Sequence, residues 1–240
     1  MDKIKTFPDI YKLSRAAAEF FVSQSQFAVR DNGRFTVALS GGSTPETFYA
    51  LLATEAYNVR VEWDKVFFFW GDERCVPPDH IDSNFRMARY ALLDQVPLPQ
   101  ENIFRVRGED EPHKAASDYD RLIRDFFSAE DAPPRFDLIL LGLGEDGHTA
   151  SLFPNTDAQN VTDKWVVPTF IDEKRAWRIT LTLPTINAAH FAMFLVNGGS
   201  KARIVEQIFG DPALELPAQR VAPEDGDLIW LMDEEAAALL

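Results

Sequence analysis

The chain has 240 residues, 46% of them apolar and 26% charged, proportions that suit a globular protein with a sizeable core. A formal net charge of −14 excludes nucleic acid and anionic membranes as expected partners, and any anionic ligand must be held by locally placed cations. The single cysteine, Cys75, excludes an intramolecular disulfide and fits a reducing, cytoplasmic compartment, and no apolar run approaches the roughly 20 residues of a membrane span.

The N-terminal "MDKIKTFPDI" lacks the apolar core of a signal peptide. Pro8 opens a helical pattern, "PDIYKLSRAAAEFFVSQSQFAV", with Ile10, Leu13, Ala17, Phe20 and Phe21 on one face. "RFTVALS" reads as a short strand that stops at Gly41-Gly42. "STPETFYALLA" follows as a helix, capped by Ser43 or Thr44 with Pro45 in its first turn. "KVFFFW" has the length and apolarity of a buried parallel strand, followed by the polar loop "GDERCVPPDHIDS" and the helix "NFRMARYALLDQ", which Asn84 is placed to cap.

"NIFRV" reads as a short strand, "EPHKAASDYDRLIRDFFSA" as a long amphipathic helix, "AEDAPPRF" as a short connection and "FDLILLGL" as a second apolar strand. "WVVPTF", "WRITLTL" and "FAMFLVNG" read as strands, "SKARIVEQIFG" as a helix stopped by Gly210, "LIWLMD" as a last strand and "EEAAALL" as a closing helix. Strands that alternate with helices imply an α/β fold with a parallel sheet, in one domain over residues 1–240, with a small lobe near 155–180 left open. No exposed apolar helix face marks an interface, so a monomer is expected.

Ligands of such sheets bind outside the carboxyl ends of the strands. Four strands here end in unusual polar loops, "SGGSTP", "GDER", "GEDGHTAS" and "NGGSK", and in a parallel sheet all four share one edge. Gly42, Ser43 and Thr44 form either a phosphate cradle at a helix N-terminus or a tight turn with a cap. Lys201 starts a helix, where a cation opposes the dipole unless an anion is bound. Arg74 offers a planar fork to a phosphate, Asp72 a proton-handling or orienting carboxylate, and the alternative for both is a structural ion pair. Asn84 is a cap or a ligand group. Cys75 makes a poor nucleophile because nothing beside it supplies a base, and His80, His113 and His190 do not fall into a metal-ligand spacing.

"GLGEDG" at 142–147 matches G-x-G-x-x-G, but its context opposes a dinucleotide site. Pro154 cuts off the long helix that such a turn opens, Glu145 and Asp146 are carboxylates where a pyrophosphate would sit, and Asp163, spaced as a ribose acid, precedes a strand rather than ending one. His148 is the more telling residue: a histidine titrates near neutral pH and serves as general base and acid, and Asp146 two residues away is placed to orient its ring. The bland alternative is a polar loop histidine.

Together, "VALSGGSTPETFYALL", "FFFWGDERCVPPDHIDSNFRMA", "FDLILLGLGEDGHTASLFP", "RITLTLPTINAAHFAMFLVNGGSKA" and "LIWLMDEEAA" resemble the 6-phosphogluconolactonases of the glucosamine-6-phosphate isomerase/6-phosphogluconolactonase family, in the family's order and over most of the chain from Phe35 onward. The related deaminases share the "GSTP" and "DGH" loops, but look like "MDEY" and "GHIAFNEP" where this chain has "WGDER" and "GHTASLFP". The resemblance implies a Rossmann-like fold, a mostly parallel sheet covered by helices on both faces, as in the glucosamine-6-phosphate deaminases and ribose-5-phosphate isomerases. It implies hydrolysis of 6-phospho-D-glucono-1,5-lactone, a sugar-phosphate lactone, with no metal and no cofactor. It casts His148, Asp146 and Asp72 as catalytic, with backbone N–H groups near Gly144 and Gly147 facing the oxyanion. Gly42, Ser43, Thr44, Arg74, Lys201 and Asn84 are cast as substrate groups, together with Lys174, the equivalent of a family lysine for which Arg175 competes. A sugar-phosphate isomerase or deaminase in which Asp72 shuttles a proton is the alternative, and a non-catalytic sugar-phosphate sensor a more distant one.

Overall fold

The computed structural model describes residues 3–129 and 132–240; Glu130 and Asp131 of the "AEDAPPRF" connection lie outside the described residues. Six parallel strands form the main sheet in the order β1-β9-β8-β5-β2-β3: β1 (Lys3–Phe7), β2 (Phe35–Leu39), β3 (Val66–Trp70), β5 (Leu138–Leu141), β8 (Phe191–Val196) and β9 (Asp227–Asp233). β2 and β5 are buried along their whole length, as "FTVAL" and "LILL" require of central strands covered on both faces.

Aromatic packing shows which helix covers which face. Phe21 of α1 (Ile10–Asn32) meets Phe35 of β2 and Phe48 of α2 (Ser43–Leu52). On the other face, Phe69 of β3 packs on Phe126 and Phe127 of α5 (Pro112–Phe127), and Trp230 of β9 packs on Phe209 of α7 (Ala202–Gly210). Short helices α3 (Glu55–Asn58), α4 (Asn84–Ala91) and α6 (Leu183–Asn187) complete the set. Nearly all of the buried apolar side chains join in one cluster.

A second sheet is antiparallel, in the order β4-β7-β6, from β4 (Asp72–Arg74), β6 (Val166–Ile171) and β7 (Ala176–Leu181). It accounts for the lobe near 155–180 and corrects the reading of "GDER" as pure loop: residues 72–74 pair with 178–180. Gly71 joins the two sheets, its N–H donating to Leu39 of β2 and its C=O accepting from Leu181 N of β7, both within 2.9 Å.

Other expectations need correction. β1 was not expected; its "KIKTF" alternates too weakly to stand out, and it is an exposed, lysine-bearing edge strand. "NIFRV" is not a strand. Ile103 makes one isolated bridge to Phe68, and Phe104 N donates to Phe68 O at 2.8 Å, which covers part of the free edge of β3. "EEAAALL" forms turns rather than a helix. Ser83, not Asn84, caps α4, and Gly42 at φ 106°, with no side-chain bond, takes the cap position of α2 expected for Ser43 or Thr44.

Candidate active site

All four strand-end loops open into one cleft of about 240 Å³. The loop after β2 brings Ser40, Gly41 and Gly42; that after β3 brings Asp72 and Arg74; that after β5 brings Gly144 and His148; and the turn before α7 brings Lys201. The small sheet closes it from above with Arg178 of β7 and with Lys174, at the tip of the β6–β7 hairpin.

His148 is held on every side. Asp146 Oδ1 lies 2.5 Å from its Nδ1 and also accepts its backbone N–H at 3.1 Å. Phe153 stacks on the ring at 3.9 Å between centroids and 19° between planes. A Cβ at Gly144 would lie 2.0 Å from Nδ1, so only glycine leaves room for the ring. Burial by itself pushes the Asp146 carboxyl up, but the hydrogen bond and charge of His148 outweigh it and hold Asp146 below the ordinary aspartate value. Asp146 is therefore an ionised, acceptor-only partner, so a neutral ring carries its proton on Nδ1 and leaves Nε2 its lone pair.

Asp72 is placed differently. It is buried and, among the described residues, forms no ion pair with His148; Ser151 Oγ donates to its Oδ2 at 2.6 Å, and Asn84 Nδ2 donates to its Oδ1 at 3.2 Å and to its backbone O at 2.9 Å. Asn84, buried and lining the cleft, thus positions Asp72. The acid against the histidine ring is Asp146. The next residue, Glu73, is buried beneath the loop. It accepts from the backbone N–H groups of Arg74, Asn84 and Phe85 and from the Ser83 hydroxyl, at 2.7–3.1 Å. Burial pushes its carboxyl up, and the three N–H groups pull it back.

The glycine N–H groups expected to face an oxyanion are spent inside the loop: Gly144 N donates to His148 O at 2.8 Å and Gly147 N to Gly144 O at 3.1 Å. Gly147, at φ 82°, makes the turn. Free donors lie instead at the start of α2, whose first N–H groups have no side-chain cap. Ser43 and Thr44 stand there just behind Gly42 and do not line the cleft themselves.

Four cations line the cleft: Arg74, Lys174, Arg178 and Lys201. Among the described residues none of them forms an ion pair with a carboxylate. Arg74 Nη1 donates to the backbone O of Asp82. Arg178, which sequence reasoning missed, is the cross-strand partner of Arg74, and burial together with the Arg74 charge lowers its pKa. Like charges placed side by side without a carboxylate are what an anion site requires. Lys174 lines the cleft and Arg175, at φ 46°, does not. Cys75 is half-buried, its thiol pushed up to about 11 chiefly by burial, which leaves no thiolate for nucleophilic work near neutral pH.

Known proteins resemble this chain over nearly its whole length. The family model described as glucosamine-6-phosphate isomerases/6-phosphogluconolactonase matches residues 8–230. A 6-phosphogluconolactonase of Nostoc sp. is 42% identical over 99% of this chain and 98% of its own length. The structure of a 6-phosphogluconolactonase from Trypanosoma cruzi superposes with a TM-score of 0.88 at 32% identity, over 100% of this chain and 97% of that one. A monomeric glucosamine-6-phosphate deaminase, 20% identical with a TM-score of 0.81 over 99% of this chain and 100% of its own, shares the fold. The chain thus belongs to the glucosamine-6-phosphate isomerase/6-phosphogluconolactonase family.

Proposed function

We propose that this chain hydrolyses 6-phospho-D-glucono-1,5-lactone to 6-phospho-D-gluconate, a step of the oxidative pentose phosphate pathway, as a cytoplasmic, monomeric, single-domain enzyme. The observation that carries the reading is an oriented His148–Asp146 pair in the same cleft as four cations free of carboxylate partners. A lactone is an activated ester, so a directed water is sufficient as nucleophile. Nε2 of His148 takes a proton from water as the water oxygen bonds to C1. The C1–ring-oxygen bond then breaks, and the ring oxygen takes that proton from the imidazolium, so the net change is one water added across one C–O bond. Asp146 holds the ring and stabilises the transient cation. Arg74, Arg178, Lys201 and Lys174 hold the phosphate, with the free N–H groups at the start of α2 behind them. Asp72, held by Ser151 and Asn84, orients the sugar.

The test is acid release from freshly generated lactone, corrected for spontaneous hydrolysis. The wild-type chain accelerates it, and His148→Asn lowers kcat by about 10²–10⁴-fold with KM little changed, as loss of a general base does. Near-wild-type turnover in that variant removes His148 from the chemistry. Ammonia release from glucosamine 6-phosphate, without lactone hydrolysis, moves the chain to the deaminase branch of its family.

A further inference from the structure

Among the described residues, four buried side-chain polar atoms lack a hydrogen-bond partner: Ser14 Oγ, Ser40 Oγ, Trp70 Nε1 and Trp230 Nε1. Only Ser40 lines the cleft. It follows directly on β2, is 5% exposed, and its backbone is clamped: its N–H donates to Tyr49 Oη at 3.0 Å, and Tyr49 Oη donates back to its C=O at 2.9 Å. The phenol thus satisfies both main-chain groups where β2 leaves the sheet, and the side-chain hydroxyl remains a fixed group with neither donor nor acceptor filled. An unpartnered buried hydroxyl is destabilising, and Ala or Gly would avoid that cost at a strand end.

The chemistry of the neighbours indicates what it meets. A phosphate offers only acceptors, and the cleft answers it with four cations. A sugar hydroxyl both donates and accepts, and it needs a partner that does the same or a pair of unlike partners. Ser40, one residue past β2, and Asp72, two residues past β3, both line the cleft and supply such a pair, and the register of Leu39 with Trp70 sets the two strand ends side by side. Each Asp72 oxygen accepts one bond and retains a lone pair to accept from a substrate hydroxyl. Gly41, which follows Ser40, leaves the space that the Asn84 side chain fills on its way to Asp72.

We propose that the Ser40 hydroxyl, positioned by Tyr49, hydrogen-bonds one ring hydroxyl of the lactone and with Asp72 makes the site selective for polyhydroxylated over deoxy substrates. The inference rests on the lactonase reading above. A site built to pair a substrate hydroxyl discriminates against the analogue that lacks it, because its own polar groups are then left unpaired.

The experiment measures kcat/KM of the wild type and of Ser40→Ala with 6-phosphogluconolactone and with its 2-, 3- and 4-deoxy analogues. Ser14→Ala, which removes an unpartnered buried hydroxyl outside the cleft, serves as control. Ser40→Ala is expected to lower kcat/KM about tenfold on the full lactone, as the loss of one hydrogen bond implies. The wild type is expected to lose a similar factor on one deoxy lactone, on which Ser40→Ala loses nothing further. The melting temperature of Ser40→Ala should be unchanged or higher, since no protein bond is removed, and Ser14→Ala should turn over like the wild type. Unchanged kcat/KM of Ser40→Ala on the full lactone overturns the inference. So does an equal loss on all three deoxy lactones, or a lowered melting temperature that accounts for the loss. A wild type that does not hydrolyse the lactone overturns the lactonase reading, and this inference with it; an active wild type confines any failure to Ser40.

Discussion

At the scale of single residues, the site works by what its side chains are prevented from doing. Asp146 and Phe153 leave His148 one ring orientation, and the glycine at 144 is the space that makes it possible. A carboxyl held below its ordinary value favours the folded, paired state above its unfolded pKa and loses that contribution as pH falls through the folded pKa. The His148 contact of Asp146 therefore outlasts the point, near pH 3.9, at which a free aspartate is half protonated. Asp146→Asn keeps an acceptor for Nδ1 but removes the charge that stabilises the imidazolium. Because Asp146 is half-exposed, the cost is moderate: kcat should fall by no more than about 10²-fold, the lower bound for loss of a general base, with KM nearly constant. Steady-state kinetics at pH 7 checks this, and an unchanged kcat would show that Asp146 does no work for the ring. The His148–Asp146 pair was legible in the sequence because both partners sit in one loop, two residues apart. Arg178 was not: its strand was recognised, but its meaning lies in Arg74 opposite, and "GDER" looked like a loop. Phe153 and Ser40 were hidden for a simpler reason, that an apolar ring and a small hydroxyl look like packing until their neighbours are known.

At the scale of elements, the fold spends buried polar groups on fixing the strand ends that carry the site. Tyr49 clamps Ser40 just after β2, and Tyr119 does the same for the last residue of β3: Trp70 N donates to its hydroxyl at 2.8 Å, and the hydroxyl donates to Trp70 O at 3.1 Å. Glu73 then ties β4 to the first turn of α4, accepting from Arg74 N of β4 and from Asn84 N and Phe85 N, two N–H groups of the helix start that require an acceptor. Glu73→Gln replaces one of the two acceptor oxygens with a donor, and at least one of these N–H groups is left facing it. Stability should fall by about 1–3 kcal/mol, read from urea unfolding, because a buried donor is orphaned. An unchanged unfolding midpoint would mean that water satisfies the turn instead. The main-sheet strands β2, β3, β5, β8 and β9 could be read from apolar runs alone, since strands buried on both faces carry that signature. β1 and β4 escaped because their pairing is what makes them strands: one is a charged edge, the other three polar residues long.

At the scale of the whole molecule, two fields of opposite sign act on a phosphorylated substrate. The net charge of −14 repels it from a distance, whereas the cleft cations attract it at contact. The two differ in reach, and salt separates them. The Debye length shrinks from about 30 Å at 0.01 M to about 8 Å at 0.15 M, so the diffuse repulsion of surface carboxylates is screened first, and partly buried short-range pairs are screened much less. kcat/KM for the lactone should therefore rise as sodium chloride is raised from about 0.01 M to about 0.15 M. At 0.15 M the anionic approach is less opposed, while the proposed grip of Arg74, Arg178 and Lys201 on the phosphate persists. Arg178→Ala should shift the whole curve to lower kcat/KM through KM without changing its slope, since the slope belongs to the distant charges and the height to the contact. A monotonic fall of kcat/KM with salt would mean instead that the cation cluster projects its field beyond the cleft and steers the substrate in.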